Sequence, residues 1–270
     1  MPSIAVDGVN RFYDDEGDGR PVVLVHGSAS SSRQWRKLVE RLSGRYRILA
    51  ADLCATDGTG GGLAAFTFTA DCALVARLIE MGGGGTHLVG HSYGGVIAAR
   101  IAIDRPQALA SLSLIEPSCF HLLAEAGKAA EHAEIVAVCE RQQRAYAAGD
   151  PEKSAQGFID YWMGEGVWTA MPERRREMIV DTLQKFPHDW HGTNDPVTRL
   201  AGYRTLAVPT LLIRARDTVR PSARIVDLLA ALLPNCELVE VAHGGHMSPL
   251  TNPDPVNAAI EAFVSKHSAA

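Results

Sequence analysis

The chain has 270 residues, 46% hydrophobic and 21% charged, enough for one large α/β domain with room for an inserted subdomain. Its formal net charge of -5 leaves no basic footprint, which argues against nucleic acid as a partner. No apolar run is long enough to cross a bilayer, Met1-Pro2-Ser3 does not open a signal peptide, and Cys54, Cys72, Cys119, Cys139 and Cys236 lack CxxC spacing, so reduced thiols, a cytoplasmic location and no membrane contact are expected.

Val9–Tyr13 reads as a strand, followed by the turn-rich Asp14–Gly19. Pro21–Val25 is a continuous apolar run, as expected of a strand covered on both faces, and it stops at His26-Gly27-Ser28-Ala29. Trp35, Leu38, Val39 and Leu42 fall at helical spacing and predict a helix over Ser32–Leu42. Arg47–Ala51 is the next strand, ending at Asp52, with a flexible loop at Gly58–Gly62 and a helix over Phe68–Met81. Gly82–Gly85 reads as a spacer and not a phosphate loop, since no Lys-Ser/Thr follows it.

Thr86–Val89 then forms a short buried strand and Val96–Ala102 a buried helix, with Gly90-His91-Ser92-Tyr93-Gly94-Gly95 between them. A strand turning sharply into a helix around G-x-S-x-G perches the serine on a strained bend. Glycines stand where a Cβ would clash, and the helix N–H groups face any negative charge that develops beside the serine. Ser92 is therefore the candidate nucleophile. Leu109–Ile115 is another buried strand, ending on Glu116-Pro117. From Ser118 to Tyr203 strand signals vanish, and helices are predicted over His121–Ala148, Pro151–Met163 (capped by Asp150) and Pro172–Phe186. Strands return at Val208–Ile213 and Glu237–Val241, with a helix over Ser222–Leu233 between them. This alternation predicts an α/β fold, a mostly parallel central sheet flanked by helices, with a core of residues 1–117 and 204–270 and an inserted helical cap of residues 118–203.

Further segments fit the same chemistry. The loop His26-Gly27-Ser28-Ala29 offers the backbone N–H of Ser28 to an oxyanion, with that of Tyr93 as the second donor, although an ordinary strand-end turn has the same sequence. A base must reach Ser92 from a loop after the last strand. Ala242-His243-Gly244-Gly245-His246-Met247-Ser248-Pro249-Leu250 holds two histidines, and the position within G-G-H-M-x-P-L favours His246 over His243.

With the strand-H-G loop, G-H-S-Y-G-G, the helical insertion and G-H-M-x-P-L-x-x-P spread over nearly its whole length, the chain resembles the α/β-hydrolase superfamily. The resemblance implies a Ser-acid-His triad and no metal or other cofactor, on a fold that hosts esterases, lactonases, C–C hydrolases, perhydrolases, dehalogenases and lyases. Dehalogenases and epoxide hydrolases of this fold carry Asp at the bend. Ser92 therefore points to acyl transfer, in a serine hydrolase cleaving an ester, lactone or related carbonyl substrate. A same-fold lyase, acyltransferase or perhydrolase, or a ligand-binding receptor with little turnover, is the alternative.

The acid departs from the family's usual pattern. Relatives place Asp in a G-x-x-D setting after the strand matching Thr210–Ile213. Here the string is Arg214-Ala215-Arg216-Asp217-Thr218, with Ala215 for the Gly and Thr218 for the Asp. Asp217 sits one residue early, beside arginines that offer it a surface ion pair. Glu116 is the other candidate, at a strand end where a subgroup of haloalkane dehalogenases carries its acid. Both keep the chain order Ser, acid, His; Glu116 is preferred and Asp217 stays open.

Phe158, Tyr161, Trp162, Trp168, Phe186 and Trp190 in the insertion suit a pocket for a small apolar substrate, or simply pack the cap helices. His188-Asp189-Trp190-His191 with Asp195 reads as a polar loop and not a metal cluster, Cys119 as packing, and His87, His121 and His132 as structural or exposed. The oligomeric state is left open.

Overall fold

The computed structural model describes residues 1–53, 66–194 and 198–268. The expected loop at Gly58–Gly62 lies outside these residues, as do Cys54 and Asp195. Strands β1 (Ser3–Val6), β2 (Val9–Glu16), β3 (Arg20–Val25), β4 (Tyr46–Ala51), β5 (Thr86–His91), β6 (Leu109–Ile115), β7 (Thr210–Ala215) and β8 (Cys236–Val241) form one sheet. Their order is β1-β2-β4-β3-β5-β6-β7-β8, antiparallel from β1 to β4 through β2 and parallel beyond.

The unbroken apolar runs require cover on both faces, and strand alternation divides them. Val22, Leu24, Ile48, Ala50, Leu211 and Ile213 face one core, closed by α1 (Arg36–Leu42) and a C-terminal helix. Val23, Val25, Leu49, Leu88, Leu112 and Leu212 face the other, under α2 (Phe68–Gly82) and α3 (Tyr93–Asp104). A turn of 3-10 helix, Ser32–Trp35, precedes α1, so the helix expected from Ser32 forms in two parts.

Between β6 and β7 the described residues contain helices and no strand: α4 (His121–Glu125), α5 (Ala129–Ala147), α6 (Pro151–Met163), α7 (Val167–Ala170), α8 (Glu173–Leu183), α9 (Phe186–Thr193) and α10 (Leu200–Arg204). Asp150 accepts the Lys153 N–H at 2.9 Å, the cap expected for α6. The single helix expected over His121–Ala148 is broken, because Gly127 turns left-handed (φ 68°) and ends α4. The helix expected to Phe186 stops at Leu183. Pro187, which has no N–H to continue it, sits instead in the first turn of α9. After β7 come α11 (Arg220–Leu232), α12 (Ser248–Thr251) and α13 (Pro253–Lys266), the helix that buries Val256, Ile260, Phe263 and Val264 beside α1.

From β3 the chain steps to β4 on one side and, through α2, to β5 on the other. The crevice at the carboxyl ends of β3 and β5 is the topological switch point where open α/β sheets place their ligands. Ser28 follows β3 and Ser92 follows β5.

Candidate active site

Ser92 occupies the bend between β5 and α3 with φ 54° and ψ -119°, a state a non-glycine residue reaches at roughly 1–3 kcal/mol. The surroundings hold it there. Its N–H donates to Ile115 O at 3.0 Å, and its carbonyl accepts from Gly95 at 2.9 Å and Ser118 at 3.1 Å. Gly94 has no alternative, since a Cβ would strike the carbonyl oxygens of Val25 and His26. The N–H of Tyr93 opens α3, where helix donors have no intrahelical partner.

Ser92 is 9% exposed, His246 2% and Glu116 fully buried, and these three side chains touch in series. Ser92 Oγ lies 2.9 Å from His246 Nε2, and His246 Nδ1 lies 3.0 Å from Glu116 Oε2. A carboxylate accepts only, so Nδ1 carries the ring proton and Nε2 presents its lone pair to the serine. Glu116, itself at φ 42°, also accepts from the Ala215 N–H at 2.8 Å and the Thr218 hydroxyl at 2.5 Å. Thr218, at the position where relatives carry the acid, is thus a donor to an acid on the neighbouring strand. Two further hydroxyls that the sequence did not mark stand close by: Ser118 Oγ is 3.1 Å from Ser92 Oγ, and Ser222 Oγ is 3.4 Å from His246 Nδ1.

Asp217 is elsewhere. It accepts the amides of Gly244 at 3.2 Å and Gly245 at 2.9 Å, tying down the loop that carries His246. Burial pushes its carboxyl up, but these amides outweigh that and hold it below the usual range. The surface ion pair expected for Asp217 goes instead to Arg214, which bonds Asp227 at 2.6 Å and Glu240 at 2.5 Å. His243 is exposed.

His246 is supported from behind. His91 Nε2–H donates to the His246 carbonyl at 2.8 Å, and burial, with His246 beside it, lowers the His91 pKa to about 3. A histidine kept neutral in the fold makes the fold acid-sensitive. The unfolded chain protonates His91 near 6.5 and the folded chain only near 3, so stability falls as pH drops through that window. His91 alone should remove roughly 1.4 kcal/mol per pH unit there. Urea midpoints at pH 7, 6 and 5 measure the slope, which His91→Gln should flatten.

His26 fixes the loop after β3: its Nδ1–H donates to Gly27 O at 2.7 Å, and its Nε2 accepts the Leu53 N–H at 2.9 Å. Of the six aromatics, Trp162 reaches the site, with its ring 4.1 Å from the His246 ring. Phe158 and Tyr161 pack on Trp162, Phe186 packs on Phe158, and Trp168 lies under Arg176. Cys119 is buried and accepts from Tyr203 at 3.3 Å. His87 lies between Ser111 and Ser268, and His121 faces the carbonyls of Thr193 and Thr198. Asp189 bonds Lys185, and among the described residues no three His, Cys, Asp or Glu side chains gather as a metal site. No helix among them is long and apolar enough to cross a membrane.

Comparison with known proteins agrees with this architecture. The chain is 26% identical, over an alignment of 274 positions, to RutD of Azorhizobium caulinodans, a proposed carbamate hydrolase, covering 97% of this chain and 98% of that one. It is 21% identical to the (E)-2-((N-methylformamido)methylene)succinate hydrolase of Acinetobacter baylyi over 93% of each chain. A solved hydrolase from Pseudomonas aeruginosa PA01 shares the fold, with a TM-score of 0.79 at 22% identity over 97% of each chain. The model of the Alpha/beta hydrolase family matches residues 22–259, which hold the parallel strands β3 to β8 and the helices between them, and the chain belongs to that family.

Proposed function

We propose that the protein is a serine hydrolase that cleaves an ester, lactone or related carbonyl substrate through an acyl-enzyme on Ser92. The observation that carries this reading is the unbroken series Ser92 Oγ, His246 Nε2, His246 Nδ1, Glu116 Oε2, with contacts of 2.9 and 3.0 Å. In it His246 takes the Ser92 proton as the serine attacks the carbonyl carbon. Glu116 holds the ring in the Nδ1–H tautomer and stabilises the imidazolium that forms. The amides of Ser28 and Tyr93 receive the oxyanion. Protonated His246 then delivers its proton to the leaving group, and water, activated by the same ring, hydrolyses the acyl-enzyme.

Residues 118–203 act as a cap on the core of residues 1–117 and 204–270, with Trp162 roofing His246 and favouring an apolar substrate. The names of the two curated relatives extend the substrate class to carbamates and to carbonyls bonded to nitrogen. Cys72, Cys119, Cys139 and Cys236 are not joined in disulfides, which is in keeping with a cytoplasmic location.

A fluorophosphonate probe, which reacts only with an activated serine, should label the folded protein at Ser92, read by peptide mass. A panel of chromogenic esters of graded acyl length should then show turnover. Folded protein that takes up no label and turns over no ester would remove the proposal.

A further inference from the structure

The mechanism proposed above uses the backbone of Ser28 and Tyr93 and leaves their side chains without a task. Both hydroxyls end on buried carboxylates. Tyr93 Oη donates to Asp71 Oδ2 at 2.8 Å, and the Ser28 side chain lies against Asp189, where it favours the carboxylate. Lys185 joins the two acids, with Nζ 2.8 Å from Asp71 Oδ2 and hydrogen-bonded to Asp189 Oδ1. The same Nζ lies 4.5 Å from the centre of the Tyr93 ring. Arg11 pairs with Asp71 from the far side and sits over Phe66 at 4.4 Å, so two cations balance two anions. Asp71, Lys185, Asp189, Arg11 and Tyr93 are all buried.

The plainer account is adhesion: Lys185, in the turn just before α9, and Asp189, within it, fasten α9 to α2 and α3. Buried ion pairs, however, are poor adhesives, because apolar side chains of the same volume often hold as well or better. Four charges sunk beside the two amides proposed for the oxyanion fit a task that apolar packing cannot perform, the fixing of direction.

We propose that Ser28, Asp189, Lys185, Asp71 and Tyr93 form one hydrogen-bonded chain that sets the spacing of the two oxyanion-hole amides, with Lys185 the positioning residue at its centre. The inference rests on the oxyanion role given to those amides above. An oxyanion hole works by having its donors in place before the charge appears, so small displacements weaken it. Tyr93 is the first residue of α3, and holding its ring at the hydroxyl fixes the turn that carries its N–H. Ala29, directly after Ser28, has φ 55°, a conformation that persists only where neighbours enforce it, and the contact of Ser28 with Asp189 would be one such restraint. The restraint comes from the inserted helices, so the seating of α9 and the alignment of the hole are one variable.

Ser28→Ala and Tyr93→Phe each detach one end of the chain while keeping the backbone amide and all four paired charges. Each should lower kcat by about tenfold to a hundredfold with KM little changed, the scale of a misplaced catalytic group. The infrared carbonyl stretch of an acyl-enzyme trapped with a slow ester should move to higher frequency in both variants, because a carbonyl with weaker hydrogen bonds keeps more double-bond character. Lys185→Met cuts the middle and should produce both changes; if it does not fold, the two end variants decide. An unshifted stretch in Ser28→Ala and Tyr93→Phe, whatever happens to kcat, overturns the inference, as does a loss confined to KM. Failure of the unmodified protein to form any acyl-enzyme would instead overturn the serine mechanism, and the two failures are distinguishable.

Discussion

Ser92→Ala should lower kcat by about a millionfold, the loss seen when a serine hydrolase forfeits its nucleophile, while the protein stays folded. The fold is expected to survive because the bend at φ 54° is secured by backbone bonds, Ser92 N–H to Ile115 O and Ser118 N–H to Ser92 O, which alanine retains. Alanine meets the same strain as serine there, so the melting temperature should move little. The residual rate should come from binding and the oxyanion donors alone. Turnover of the best chromogenic ester, with active-site titration to exclude contaminating hydrolase, measures the loss. A variant that is folded and within tenfold of the parent would mean that Ser92 takes no part in the chemistry.

Most of the sheet is legible in the sequence because buried parallel strands write continuous apolar runs, and Leu109–Ile115 coincides with β6 to the residue. Two elements outside the expectations also have plain signatures. Asp7-Gly8, both at positive φ, is a two-residue hairpin turn joining β1 to β2. Val256, Ile260, Phe263 and Val264 recur at helical spacing along α13 behind Pro253. Helix breaks in the insertion are harder to read, since Gly127 and Pro187 interrupt stretches that otherwise keep helical composition.

At the site, Ser92 and His246 stand in local strings whose spacing carries meaning, and so the sequence alone picks them out. The buried charges behind Tyr93 cannot be picked out this way. Arg11, Asp71 and the i,i+4 pair Lys185–Asp189 are ordinary charges on three separate stretches, and only tertiary packing joins those stretches. Trp162 is one aromatic among six, and nothing local distinguishes the one that covers His246. The acid was ambiguous for a related reason: a loop decides where a carboxylate points, and Asp217 turns to the Gly244 and Gly245 amides while Glu116 turns inward.

That ambiguity gives the second large effect. Glu116→Gln should lower kcat by about three to four orders of magnitude, the scale set by neutralising the acid of such a triad. Glu116 receives three donors, the Ala215 N–H, the Thr218 hydroxyl and His246 Nδ1–H. If the glutamine oxygen keeps the Ala215 bond, its NH2 group confronts the Thr218 hydroxyl and His246 Nδ1. Thr218 can rotate its proton away and accept, but the imidazole must move its own to Nε2. The lone pair that Ser92 needs is then gone, with nearly unchanged packing. Asp217→Asn is the matched control, because an asparagine oxygen still accepts from Gly245 and the loop bearing His246 stays tethered; its kcat should remain within about threefold, as for a surface substitution. Steady-state rates for both variants, with circular dichroism to confirm the fold, separate the two acids. A severe loss in Asp217→Asn beside near-normal turnover in Glu116→Gln would transfer the role to Asp217, and would require the loop after β7 to rearrange when substrate binds.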